Sequence, residues 1–245
     1  MYQRWGLKLV AVAMLAMTIF LLVKMKEVNT QDAEVILPQS EEPVSMDAVP
    51  GGRDLCIVID AGHGGRDGGK VGSNGVLEKD INLQMAYILR DYLEAAGYTV
   101  VMTRETDAGL YDEDAPNRKM QDLQRRVELI ADVAPDMVIS IHQNSYTDES
   151  VRGAQVFYYA ENPEGELLAE CIQLRLNEAS GGENPRQTKG NTDYYLLKKT
   201  EALTVIVECG FLSCYEEAEL LANPEYQDKM MQAVMEGVED YFTRN

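Results

Sequence analysis

The chain has 245 residues, with 22 Lys and Arg against 41 Asp and Glu, for a net charge of −19. That balance excludes a nucleic-acid partner, because phosphate binding needs clustered cations and no basic stripe is present. Hydrophobic content of 45% with 26% charged residues suits a folded domain with a polar surface.

The first 26 residues stand apart. Arg4 and Lys8 precede an apolar run from Leu9 to Val23 that only Thr18 interrupts. From Trp5 to Val23 there are 19 residues, enough to span about 30 Å of hydrocarbon. No small-residue cleavage site follows in "VKMKEV", so residues 1–26 are expected to form an uncleaved membrane anchor. The remainder of the chain would then lie on the extracytoplasmic side. Residues 27–52 carry six acids, three prolines and no base. They read as an acidic flexible linker, leaving 53–245 as one domain.

Within 53–245 apolar runs of strand length occur at Leu55–Asp60, Thr99–Thr103, Met137–His142, Gly153–Tyr159 and Thr204–Glu208. Ile81, Met85, Ile88, Leu89 and Tyr92 make one face of a helix that ends at Gly97. Further helices are predicted over Asp122–Val133 and Pro163–Ala179. The last starts at Asn223–Pro224 and carries Tyr226, Met230, Ala233, Val234, Val238 and Tyr241 on one stripe. Strands alternating with helices predict an α/β domain, a mostly parallel mixed sheet with helices on both faces. Ala108–Gln121 and Gly181–Asp193 lack periodicity and are expected to be long loops that gather substrate contacts. The cysteines Cys56, Cys171, Cys209 and Cys214 have no metal-binding spacing and are expected to be free thiols.

Ligands in open α/β sheets bind beyond the carboxyl ends of the strands. Both histidines of the chain fall there. His63 stands in "IDAGHGG", three residues past the first strand, and His142 closes "MVISIHQN". One such imidazole has many structural uses, but two converging on one edge suggest a zinc site needing a carboxylate as well. The candidates are Glu78 in "GVLEKDINL" and Glu208 in "VIVECGF". Glu78 opens a helix, where an acid is favoured by the dipole alone. Glu208 ends an apolar strand, a costly place for a carboxylate without a function. A serine nucleophile elbow, a P-loop and an H-E-x-x-H helix are all absent from the sequence. A Cys–His hydrolase on Cys209 is disfavoured, since strand alternation turns Cys209 away from Glu208.

Taken in order, "IVIDAGHGGRDGG", "LEKDINL", "VVMTRETD", "LQRRVELIA", "VISIHQN" and "VIVECGFLS" resemble the zinc-dependent N-acetylmuramoyl-L-alanine amidase catalytic domain, the Amidase_3 family. The resemblance runs from about Leu55 to Phe242 and implies a phosphorylase/hydrolase-like architecture. It implies one zinc ion held by His63, Glu78 and His142, with Glu208 catalytic. The chain departs from the usual family residues at Leu203 and Cys214, outside that set. Arg126 and Asn144 are candidates for substrate binding, Arg126 with a structural role as its equal alternative. The implied substrate is peptidoglycan, cut between the muramic lactyl group and L-alanine. The anchor, the length and "IHQNS" are most similar to the sporulation amidases of the CwlD type, which prepare the spore cortex. A protein partner for activation or targeting fits the absence of wall-binding repeats after the domain. Two rivals stand beside this reading: a non-catalytic peptidoglycan-binding module, and a zinc peptidase cutting within the stem peptide.

Overall fold

In the computed structural model, residues 53–182 and 184–244 are described. The expected anchor and linker at residues 1–52 lie outside them. Among the described residues no helix is long and apolar enough to cross a membrane.

Six strands form one sheet: β1 (Cys56–Ala61), β2 (Thr99–Met102), β3 (Met137–Asn144), β4 (Gln155–Tyr159), β5 (Lys189–Asn191) and β6 (Leu203–Phe211). Their order is β2-β1-β3-β6-β4-β5. β1 pairs in parallel with β2 and β3, and β3 with β6, whereas β4 runs antiparallel to β6. The helices are α1 (Glu78–Ala95), α2 (Arg118–Val133), α3 (Pro163–Ala179), α4 (Tyr195–Lys199), α5 (Tyr215–Leu221) and α6 (Pro224–Arg244).

The central strands are apolar on both sides because both faces are covered. Ile57, Ile59, Ile139, Ile141, Val205 and Val207 pack with residues of α1, α3 and α6. Val58 and Val138 face the other way, onto Ile130 of α2 and Leu196 of α4. Each such aliphatic side chain taken out of water contributes about 1.5–3 kcal/mol before the entropy of ordering is counted.

The predicted strands stop too early on the side that matters. β3 runs two residues past His142 and β6 three past Glu208, because a polar side chain facing a cleft does not end a strand. α2 begins a turn earlier than expected, where the Asn117 side chain accepts the Met120 N–H. The two aperiodic stretches also hold regular structure, since Arg118 onward is helical and β5 lies within 181–193.

The chain steps from β1 outward to β2, then crosses back to place β3 on the other side of β1. This reversal opens a crevice above the ends of β1 and β3, a switch point of the kind at which α/β sheets bind ligands.

Candidate metal centre and active site

β1 delivers the chain into "GHGG", and His63 there adopts a left-handed backbone with φ of 62°. That costs a non-glycine residue about 1–2 kcal/mol. Several contacts hold it. Gly64 and Asp67 exchange backbone hydrogen bonds of 3.0 and 3.1 Å, and the His63 carbonyl accepts from Arg126 Nη2 at 2.6 Å. The side chain is half-buried, with 18% of its surface exposed. Asp67 accepts from its Nδ1 at 2.9 Å, which turns Nε2 toward Glu78 at 3.2 Å. A carboxylate behind a ring nitrogen is a common way to fix a ligating histidine.

Glu78 is the first residue of α1 and is buried. Its Oε2 accepts from the Lys70 N–H at 2.8 Å, its Oε1 from the Gln143 N–H at 3.2 Å, and His142 Nδ1 lies 2.9 Å from Oε1. Burial opposes ionisation, but the two imidazoles outweigh it and hold this carboxyl far below the ordinary range. Burial likewise lowers the His63 imidazole, yet Asp67 and Glu78 prevail and lift it to about 9.

Ligand atoms of His63, Glu78 and His142 lie within 4.8 Å of one another. Two glycines make the approach possible. A β-carbon on Gly62 would collide with the His142 ring, and one on Gly69 would sit 2.5 Å from Glu78 Oε2 and 2.8 Å from His63 Cδ2. Two imidazoles and one fixed carboxylate suit zinc with a position left open.

Glu208 lies opposite His142 in the β3–β6 register. Its Oε2 is sealed from solvent and has no hydrogen-bond partner, the signature of a group kept for something other than stability. Burial, with help from Glu78 and against the pull of both imidazoles, pushes its carboxyl up to about 7. A carboxyl there can take and return a proton near neutral pH. Cys209, next in sequence, is wholly buried in the core on the opposite face of the strand, which removes the Cys–His alternative.

The cleft over these groups has a volume of about 270 Å³. Lys119, Asp122 and Leu123 contribute to its lining, as do Tyr194, Leu196 and Ile206. Of the two aperiodic stretches, 108–121 reaches the cleft through Lys119, whereas no residue of 181–193 is among those that line it.

The two candidate substrate residues fare differently. Arg126 borders the cleft, but it is buried and its guanidinium is occupied. Nε donates to Asp122 at 2.6 Å, and Nη1 donates to Asp60 at 2.6 Å and to the Ala61 carbonyl at 2.8 Å. These hydrogen bonds, with the one from Nη2 to the His63 carbonyl, tie Arg126 to the loop that carries His63. Asn144 is not among the residues that line the cleft. The Ser145 N–H occupies its side-chain oxygen at 2.8 Å, and its carbonyl accepts from Leu212 N–H.

Buried Asp60 shows what Arg126 does for the fold. Burial alone would raise its carboxyl, but Arg126 and the Ser140 hydroxyl bring it down from 3.8 to about 2. Its folded value lies below the unfolded one, so the pair stabilises the fold above pH 3.8, and that share is lost as pH falls through about 2. Arg126→Met leaves Asp60 buried without its cation and is expected to cost about 3–5 kcal/mol. A urea unfolding curve measures this, and a loss under about 1 kcal/mol would show that the clamp is dispensable.

Sequence reasoning passed over several supporting residues. Arg104 is buried and donates to the carbonyls of Ala61, Gly62 and Lys79 at 2.9, 3.1 and 2.8 Å. Asn82 donates to the Gly62 carbonyl at 3.1 Å and accepts from Gln143. An arginine directly after the apolar "TVVMT" was the one available signal, since a buried cation demands acceptors.

Residues 57–240 match the family model described as N-acetylmuramoyl-L-alanine amidase, Amidase_3. The chain is 41% identical over 192 residues to the germination-specific N-acetylmuramoyl-L-alanine amidase of Bacillus subtilis, covering 76% of this chain and 79% of that protein. It is 32% identical to N-acetylmuramoyl-L-alanine amidase LytC of the same organism, over 76% of this chain and 35% of that one. Among solved structures, the CwlD amidase of Clostridioides difficile, in complex with the GerS lipoprotein, superposes with a TM-score of 0.76 at 36% identity. That alignment covers 78% of this chain and all of that one. With the metal-ligand cluster, the orphaned carboxylate and the family match all falling within one α/β domain, the chain belongs to the Amidase_3 family of N-acetylmuramoyl-L-alanine amidases.

Proposed function

We propose that the chain is a zinc hydrolase that cuts the amide between the muramic lactyl group and L-alanine, with Glu208 as its proton-transfer residue. The observation that carries this is the sealed, unpartnered Oε2 of Glu208 beside a three-residue ligand cluster. A binding module has no use for a carboxylate held at such cost, which argues against the non-catalytic reading.

His63, Glu78 and His142 would hold the zinc. When bound, the ion supplies Lewis acidity and a more acidic water. Glu208 accepts a proton from the attacking water as its oxygen adds to the lactyl carbonyl, then returns one to the departing alanine nitrogen. Asp67 keeps the ring of His63 in one orientation throughout, and Lys70 and Gln143 hold the Glu78 carboxylate from behind through their backbone N–H groups. The products are a free lactyl carboxylate and a stem peptide with an alanine amino terminus.

The biological setting in this reading is spore-cortex maturation, where freeing the lactyl group would precede muramic-lactam formation. Its support is the similarity to a germination-specific amidase. Residues 1–26 would anchor the domain at the extracytoplasmic face of the membrane, beside the wall. The related C. difficile amidase is solved with a lipoprotein, which supports a protein partner here as well.

The test is mass spectrometry of peptidoglycan treated with the full-length chain, with zinc and separately with chelator. Whole stem peptides beginning at L-alanine, lost on chelation, are the expected products. Shortened peptides with the lactyl amide intact would replace this reading with the zinc peptidase.

A further inference from the structure

The charges lining the cleft are matched inside the protein, with two exceptions. Asp60 and Asp122 share Arg126, and Asp67 bonds His63. The first exception is Glu208, already assigned. The second is Lys119, which lines the cleft and is exposed. Its ammonium forms no ion pair or hydrogen bond among the described residues, and its partner in charge is Asp67, which it reaches only through space.

The negative charge of Asp67 favours a cation here, but no hydrogen bond holds it and the helix itself disfavours it. Lys119 is the second residue of α2, where the positive end of a helix disfavours one. Arg118 before it is held by the Glu113 carbonyl, whereas Lys119 has no hydrogen bond and acts on Asp67 only through space. Lys119, Asp122, Leu123 and Arg126 share one face of α2, spaced i, i+3, i+4 and i+7. Arg126 touches the His63 carbonyl at the floor of the cleft. Seven residues of helix place Lys119 about 10 Å away along the axis, toward the mouth. Across the cleft stand Tyr194, with 36% of its surface exposed, and Ile206, on the same strand as Glu208. One wall therefore offers an unpaired cation and the other an aromatic ring.

An amidase substrate is likewise two-sided. In peptidoglycan the residue after L-alanine is D-glutamate joined through its side-chain carboxyl, which leaves its α-carboxylate free. Two extended residues from the scissile amide span about 7 Å, a reach comparable to the distance from floor to mouth. We propose that Lys119 is a specificity-determining residue whose ammonium binds this free α-carboxylate and so directs the stem peptide along α2. The proposal rests on the amidase reading above.

The test compares two peptidoglycan preparations that differ only in whether that carboxylate is free or converted to the carboxamide. With the full-length, zinc-loaded chain, kcat/KM is expected to be about 3- to 10-fold higher on the free carboxylate, the range of an exposed to half-buried charge-assisted hydrogen bond. Lys119→Met should bring the ratio of the two to about 1, mainly through KM, and Lys119→Arg should retain most of the preference. A ratio near 1 in the unsubstituted chain, or one that survives in Lys119→Met, overturns the proposal. If the zinc-loaded chain releases stem peptides from neither preparation, the amidase reading itself fails and takes the proposal with it.

Discussion

Glu208→Gln is expected to abolish turnover while leaving the metal in place. The amide has nearly the shape of the carboxylate, so packing across the β3–β6 register is preserved. What disappears is the capacity to accept and return a proton, which contributes about 10²–10⁴-fold to such reactions. Elemental analysis should still find one zinc per chain, with kcat lowered by at least about 100-fold. The variant should also be at least as stable as the parent, because a neutral amide costs less to enclose than a carboxylate oxygen without a partner. A fully active variant would remove Glu208 from the mechanism. An inactive variant that has lost its zinc would instead make it a ligand.

The second large effect concerns Glu78 and is graded against Asp67. Loss of a supporting contact behind a metal ligand costs about 10–100-fold in affinity, and Asp67→Ala should fall in that range. Glu78→Ala removes a proposed ligand and the group that both imidazoles face, so its loss should exceed that of Asp67→Ala, with activity gone at ordinary zinc concentrations. Competition with a metallochromic indicator measures both. Since Asp67 and Glu78 lift the His63 imidazole to about 9, proton and metal compete for it, and zinc affinity should weaken as pH falls. Equal affinities for the two variants would mean that Glu78 does not ligate.

The similarity to a germination-specific amidase and the proposed anchor bear on where this chemistry would be used, not on how it works. The chain spans 79% of its B. subtilis relative and the whole of the solved C. difficile domain.

Sequence alone determined whatever depends on neighbours along the chain. The continuous apolar runs of β1, β3 and β6 mark strands buried on both sides, and the bounds of α3 follow from Pro163 and the loss of periodicity after Ala179. Two imidazoles and two carboxylates at the edges of apolar runs pointed to a metal site, since burying such groups without a task is costly. Tertiary structure decided the rest. β5 is three residues without an apolar pattern, made a strand only by its pairing with β4. α4 is a five-residue turn whose Leu196 and Leu197 find cover on the sheet. Arg126 reads the same in sequence whether it faces substrate or protein. Only the fold shows that it meets Asp60, 66 positions away, which the crossover from β2 to β3 brings to 2.6 Å. Asn144 sits two residues from His142, yet a register shift between them interrupts the strand's alternation, and its side chain turns to Ser145. A side chain's type limits what it can do, but the partners that decide what it does come from distant segments, and only the folded sheet brings those together.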